Sequence, residues 1–152
     1  MGQEQEEIVE GRELALFQIK ETIYGVDTRY VQEINQNTRI TVVHRSPDYV
    51  RGVINLRGEI VTVIDLREKF GLRSIEINED MQVVVVRYKE EDIGLLVDSM
   101  LDVISVRQGE VSPPPANLDG AVGSYFEGVY QMKEHLVAVL NLNELLKSQF
   151  NL

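Results

Sequence analysis

Few side chains in this sequence are of a type and spacing that could do chemistry. His44 and His135 are the two residues suited to proton transfer or metal binding near neutral pH, yet no second His and no acidic residue stands from either at the spacing of a zinc site. His135 lies in a hairpin turn, where a solvated role is expected. There is no cysteine, which excludes a thiol nucleophile, a Cys-containing zinc site and a disulfide framework. Asn78-Glu79-Asp80 lacks the loop glycine and distal Glu of a calcium site, and Glu90-Glu91 sits in a polar turn where water keeps a carboxylate ordinary. The phosphate-binding and nucleophile-elbow patterns Gly-x-Gly-x-x-Gly, Gly-x-x-x-x-Gly-Lys and Gly-x-Ser-x-Gly are all missing. No catalysis, metal or cofactor is expected.

What remains is a surface. Arg57 stands beside Gly58 at a hairpin tip, a place from which a long cation can pair with a partner's carboxylate. Arg51 is a second candidate of this kind. Val31, Gly52, Val83, Gly94 and Met100 either line a groove for a partner's amphipathic helix or are plain core.

The elements that must position these residues follow from the stretch Gly52 to Leu66. Two apolar, β-branched runs flank Arg57-Gly58 and predict a β-hairpin. The second arm, Ile60 to Ile64, is apolar on both faces apart from Thr62, so both faces are expected to be covered. Asp65 is placed to cap a helical turn from Leu66 to Phe70, which Gly71 ends. The same pattern returns without a gap from Gly128 to Leu146: Gly52 falls on Gly128, Val61 on Val137, Val63 on Val139, Leu66 on Leu142, and Asp65 on the isosteric cap Asn141. This is an internal repeat. A looser match precedes it, with Tyr24-Gly25-Val26-Asp27 against Ile93-Gly94-Leu95-Leu96-Val97-Asp98.

Along the chain, Leu14–Ile19 and Thr22–Asp27 predict a hairpin about Lys20-Glu21. Asp27 and Asp98 are read as N-caps of short helices over Thr28–Ile34 and Ser99–Val103, and Arg39–Val43 as a short strand. Leu72–Asp80 is a polar link. Ser112-Pro113-Pro114-Pro115 is a stiff extended connector, Leu118–Tyr125 a loop, and Leu142, Leu145, Leu146 and Phe150 mark a C-terminal amphipathic helix. The expected fold is mainly β: two small β-barrels from an internal duplication, with short helices.

The chain has 152 residues and a formal charge of −10. That size buries about 70% of the unfolded surface, and that charge repels phosphate backbones and anionic lipid. Five Glu and one Arg fall within residues 1–13, a solvated acidic tail. Neither a secretory signal nor an apolar run near the roughly 20 residues of a membrane span is seen, so a soluble cytoplasmic protein is expected.

These residues resemble the chemotaxis coupling protein family, CheW. The likeness is carried by Tyr24-Gly25-Val26-Asp27, Val31-Gln32-Glu33-Ile34, Arg51-Gly52-Val53-Ile54-Asn55-Leu56-Arg57-Gly58, Ile64-Asp65-Leu66-Arg67 and Gly94-Leu95-Leu96-Val97-Asp98, from about Leu14 to Leu146. The resemblance implies two five-stranded SH3-like barrels in one domain over 14–146, the first at about 14–71 and the second at about 81–141, with the exchange of strands between them open and a C-terminal helix at 142–152. It implies a scaffold without catalysis, which couples the cytoplasmic tips of methyl-accepting chemoreceptors to the regulatory domain of a chemotaxis histidine kinase. Copies of the adaptor can alternate with that kinase domain, or with one another, in rings at membrane-associated or polar arrays. Receptor contacts of the family fall on Val31, Glu33, Gly52, Arg57, Val83, Gly94 and Met100, with Arg51 a further receptor or kinase contact. Two rival classes stay open on the residues alone: a barrel that binds a nucleic acid or small ligand, opposed for nucleic acid by the acidic balance, and a hydrolase using His44 and His135.

Overall fold

A computed structural model describes residues 11–115 and 123–147. Residues 1–10 of the tail, 118–122 of the expected loop, and 148–152 with Phe150 lie outside the described residues. Among the described residues the chain is mainly β, with eleven strands and a few short helical segments. The strands are β1 (Gly11–Ile19), β2 (Thr22–Asp27), β3 (Val31–Asn35), β4 (Val50–Leu56), β5 (Glu59–Asp65), β6 (Gln82–Tyr88), β7 (Glu91–Val97), β8 (Ser99–Arg107), β9 (Val111–Ser112), β10 (Phe126–Met132) and β11 (His135–Leu140). A 3-10 turn spans Thr28–Tyr30, and α1 (Leu66–Lys69) and α2 (Leu142–Leu146) are short helices.

Two sheets divide these strands. One has the order β8-β1-β2-β11-β10-β9 and the other β3-β6-β7-β5-β4. The expectation of five strands in each is corrected by the first sheet, whose sixth strand is the two-residue β9, paired antiparallel to Val129 and Tyr130. The second sheet has only a single bridge at the matching edge, Thr41 to Val53. The orders otherwise correspond place for place. In each sheet a hairpin of the later repeat arm (β4–β5, β10–β11) is antiparallel within itself and parallel to a Gly-containing strand: β5 to β7 and β11 to β2. Gly94 lies opposite Val63, and Gly25 opposite Val139, the two valines that the repeat equates.

The chain folds as two compact units, residues 17–21 with 30–100, and residues 11–16, 22–29 and 101–147. They do not follow the contiguous bounds 14–71 and 81–141. The hairpin β1–β2 shares its sheet with β10–β11 and not with β4–β5, because the parallel partner of β11 is β2 and that of β5 is β7. The unit of 30–100 is built on Ile54, Leu56, Val61, Val63, Val83, Val85 and Leu96. The other is built on Leu14, Leu16, Val106, Val137 and Val139, and buries Leu142, Leu145 and Leu146 of α2. Burial of these apolar side chains is the main term that holds each unit.

The two expected helices after Asp27 and Asp98 are corrected. Only Thr28–Tyr30 is helical, as a 3-10 turn, and Val31–Asn35 is strand β3, paired with β6. Ser99–Val103 lies in β8. Their Val and Ile residues suit a pleated surface, and a neighbouring strand supplies the backbone partners that a one-turn helix leaves unmet. The predicted strand Arg39–Val43 contributes only the Thr41 bridge. The caps hold: Asp65 accepts from the Arg67 N–H at 3.0 Å and Asn141 from the Glu144 N–H at 3.1 Å.

Candidate functional site

All eight partner-contact candidates fall in the unit of residues 17–21 and 30–100. Within it they separate into exposed, half-buried and buried groups. Arg57 is exposed at the β4–β5 tip, where Arg57 (φ +51°) and Gly58 (φ +87°) both take the left-handed region. Two positive φ values in succession make the tight turn that matches strand twist, and Gly at the second position bears its share without a Cβ. Asn55 Oδ1 accepts from the Gly58 N–H at 3.0 Å and fixes the turn.

From this tip the guanidinium reaches Glu33 on β3. Arg57 Nη1 donates to Glu33 Oε1 at 3.3 Å, and Nη2 makes a shorter bond to Oε2. β3 is one end of the sheet order and the β4–β5 hairpin lies at the other, so the pair links the two ends of that order. Asn35 Nδ2 adds a bond to Glu33 Oε1 at 3.3 Å. The Arg57 hydrogen bonds, against slight burial and helped by Asn35 and the Arg57 charge, hold the Glu33 carboxyl below its ordinary range. A cleft of about 290 Å³ lies beside the pair, lined by Glu33, Leu56, Arg57, Glu59, Val61 and Asp92.

Val31 is half-buried and pairs with Val86 at the start of β3. Met100 is half-buried at the start of β8, where its N–H donates to Gln82 Oε1 at 3.3 Å. It edges a second cleft, of about 530 Å³, with Gln18, Lys20, Gln82 and Asp98 among the lining residues.

Gly52, Val83 and Gly94 are buried. A Cβ on Gly94 would stand 2.7 Å from Val83 Cγ1 and 3.3 Å from Val63 Cγ2, and one on Gly52 only 2.1 Å from the Thr41 carbonyl oxygen. These three hold strands together and present no side chain to a partner. Arg51 is likewise engaged. Its Nη1 donates to Asp65 Oδ2 at 2.8 Å and its Nη2 to the Ile75 carbonyl at 2.8 Å, with Asp65 2% exposed.

Sequence reasoning missed Arg67 and the second role of Asp98. Arg67 of α1 grips Asp98 through Nε at 3.0 Å and Nη2 at 2.6 Å, and Asp98 Oδ2 also accepts the Lys20 N–H at 2.8 Å. Burial works to raise the Asp98 carboxyl, but the Arg67 bonds, the Lys20 N–H and the Arg67 charge outweigh it and hold it below the ordinary value. Asp27 is held low in the same way: burial opposes, and Arg29 with Arg12 prevails. An acid at the end of each Gly-containing strand was the signal. A cap is expected in both places, and only Asp27 caps, accepting from the Arg29 N–H at 2.9 Å.

His44 and His135 are both exposed. Among the described residues no group of three or more His, Asp or Glu could hold a metal ion, and no helix is long and apolar enough to cross a membrane. The arrangement is a set of charged and apolar contacts around two clefts.

Comparison with known proteins agrees in kind. Residues 13–150 match the CheW family, described as the CheW-like domain. The chain is similar to the chemotaxis protein CheW of Klebsiella aerogenes, 32% identical over 91% of this chain and 84% of that one. It is similar also to the CheW of Helicobacter pylori, 32% identical over 98% and 90%. A crystal structure of the scaffolding protein TtCheW from Thermoanaerobacter tengcongensis superimposes with a TM-score of 0.81 at 28% identity, covering 91% of this chain and 94% of that one. The chain belongs to the CheW-like domain family.

Proposed function

We propose that this protein is a chemotaxis coupling scaffold, an adaptor without catalytic activity that joins chemoreceptor cytoplasmic tips to the regulatory domain of a chemotaxis histidine kinase. The observation that carries this reading is the family match across residues 13–150, together with a solved relative described as a scaffolding protein. The family likeness and the matching strand orders support a further reading, that each sheet closes as an SH3-like barrel and that the two arose by duplication.

On this reading the receptor tip meets Val31, Glu33, Arg57 and Met100 directly. Gly52, Val83, Gly94 and Arg51 act from beneath, by keeping the strands and the α1 region in place. Each contact can be weak, because an array tethers many and the effective concentration at each is high. Signalling is then a shift in kinase population set by which state the shared interfaces favour, with no reaction at the adaptor. The protein resides in the cytoplasm, at membrane-associated arrays through its partners, and can alternate with the kinase domain or further copies of itself in rings.

The deciding experiment mixes the protein with a receptor signalling fragment and the kinase and measures autophosphorylation. Receptor control of the kinase should appear only when the adaptor is present. Kinase activity unchanged by its addition would defeat the proposal.

A further inference from the structure

The segment from Arg39 to Arg45 has the composition of a strand but is held as one at a single point. Thr41 and Val53 exchange both backbone bonds, N–H to oxygen at 2.8 and 2.9 Å, and the residues on either side of Thr41 add no further pairing. Val42 is 69% exposed and Val43 40%, and Val42 is the most exposed large apolar side chain among the described residues. No carboxylate occurs from Gln36 to Ser46, while Arg39, His44 and Arg45 all do, in a chain of charge −10. Six of the ten arginines are held in ion pairs, and Arg39 and Arg45 are in none among the described residues. The element thus joins exposed valines, unspent cations and β-prone backbone on one short loop.

Gly52 seats it. The carbonyl of Thr41 approaches so closely that a Cβ on Gly52 would lie 2.1 Å from it, and Gly52 has φ +150°. Gly128 takes the equivalent place in the other sheet, where a Cβ would lie 2.2 Å from the Ser112 carbonyl, but there the flanking segment is a paired strand. Gly52 is therefore a positioning residue, and what it positions is the Arg39–Arg45 loop.

We propose that this loop docks an acidic, apolar-bearing segment of the receptor tip, with Val42 and Val43 as the anchor and Arg39 and Arg45 as its electrostatic rim. The inference rests on the adaptor reading and supplies the partner chemistry of that surface. Apolar side chains give such a contact its affinity, and rim cations set its encounter rate and salt dependence.

The test titrates the isotope-labelled full chain with a receptor cytoplasmic-tip fragment at low and high salt, following backbone amide shifts and affinity. Amides of residues 39–45 should shift on binding. Arg39→Glu with Arg45→Glu should weaken binding about tenfold at low salt and flatten its salt dependence, and Val42→Ser should weaken it at both salts. Gly52→Ala and Gly128→Ala should both lower the melting temperature, but only Gly52→Ala should reduce affinity per folded molecule. If Gly52→Ala does not fold, the surface variants decide. Equal binding by wild type and the double arginine variant would overturn the inference and leave the adaptor reading standing. A fragment that fails to bind the wild type would remove both.

Discussion

Arg57 and Glu33 show how a side chain exposed to water can matter to a partner more than to the fold. The pair is solvent-accessible, and exposed ion pairs add little to stability, so Arg57→Glu should leave the circular dichroism spectrum unchanged and lower the melting temperature only slightly. It should nevertheless abolish binding of a receptor tip. Because Glu33 is the partner observed, the double exchange Glu33→Arg with Arg57→Glu tells direct contact from positioning: restored binding means that the pair itself is what the receptor needs, and lost binding means that the cation must stand at position 57. Gly94 makes the opposite case. With a Cβ placed 2.7 Å from Val83 Cγ1, Gly94→Val overpacks a closed core and should destabilise the protein by about 1–3 kcal/mol, read as a fall in the denaturation midpoint. Weakened partner binding with unchanged stability would instead return Gly94 to the surface. Of the seven family positions, Arg57 was legible from the tip it occupies. The burial of Gly52 and Gly94 was not, since a glycine carries no side chain whose polarity could mark an inward face.

The short elements are set by their tertiary partners more than by propensity. A run such as Tyr30, Val31 and Ile34 after Asp27 satisfies a helical spacing and a strand composition at once, and periodicity over so few residues cannot choose. Tertiary pairing with β6 chooses strand. The late hairpins, by contrast, were legible, because their apolar runs and turn residues point the same way as their environment. Around α1 a chain of bonds runs from the Ile75 carbonyl through Arg51 and Asp65 to Arg67, Asp98 and the Lys20 N–H. Arg67→Ala leaves Asp98 half-buried without its cation, and a loss of about 1.5–3 kcal/mol is expected for a charged hydrogen bond of this kind, measured by denaturant unfolding. The pH dependence has a definite sign. Asp98 and Asp27 titrate below their ordinary value of 3.8 in the fold, and Glu33 below 4.5. As pH falls the unfolded chain therefore takes up protons first. The stability from these carboxylates is whole above the ordinary values, declines through them, and is gone below the depressed folded values. Thermal melting should hold level from about pH 7 to 5.5 and drop steeply below about pH 4.5. Asp98→Asn should melt lower at neutral pH and lose less on acidification; an acid decline as steep as that of the wild type would show that Asp98 contributes nothing to it.

At the scale of the whole molecule the consequential feature is the exchange of hairpins between the halves of the sequence. Repeat matching could find the two late hairpins and the two Gly-containing strands, but self-similarity cannot say which copy pairs with which, since β5 opposite β7 and β5 opposite β2 would satisfy the same pattern. Only the register settles it, with Val63 opposite Gly94 and Val139 opposite Gly25. The sheet of β3 to β7 is drawn from one continuous stretch, residues 31–97, whereas the other joins both ends of the chain: its early hairpin β1–β2 finds its parallel neighbour β11 more than a hundred residues away. Such non-local pairing delays the return on loop closure and slows folding. It also predicts how the protein breaks. A fragment ending at residue 80 retains β4–β5 without β6–β7, and β1–β2 without β10–β11, so it holds two half-sheets whose apolar faces have no cover. The fragment from residue 81 onward is in the same position with the complementary strands. Neither should melt cooperatively alone, and an isolated two-stranded pair is marginal in water. Mixed at equal concentration, the two fragments should recover the β spectrum and a cooperative transition whose midpoint rises with concentration, as association demands. A cooperative melt from either fragment by itself would mean that its sheet closes within one half, contrary to the strand order found.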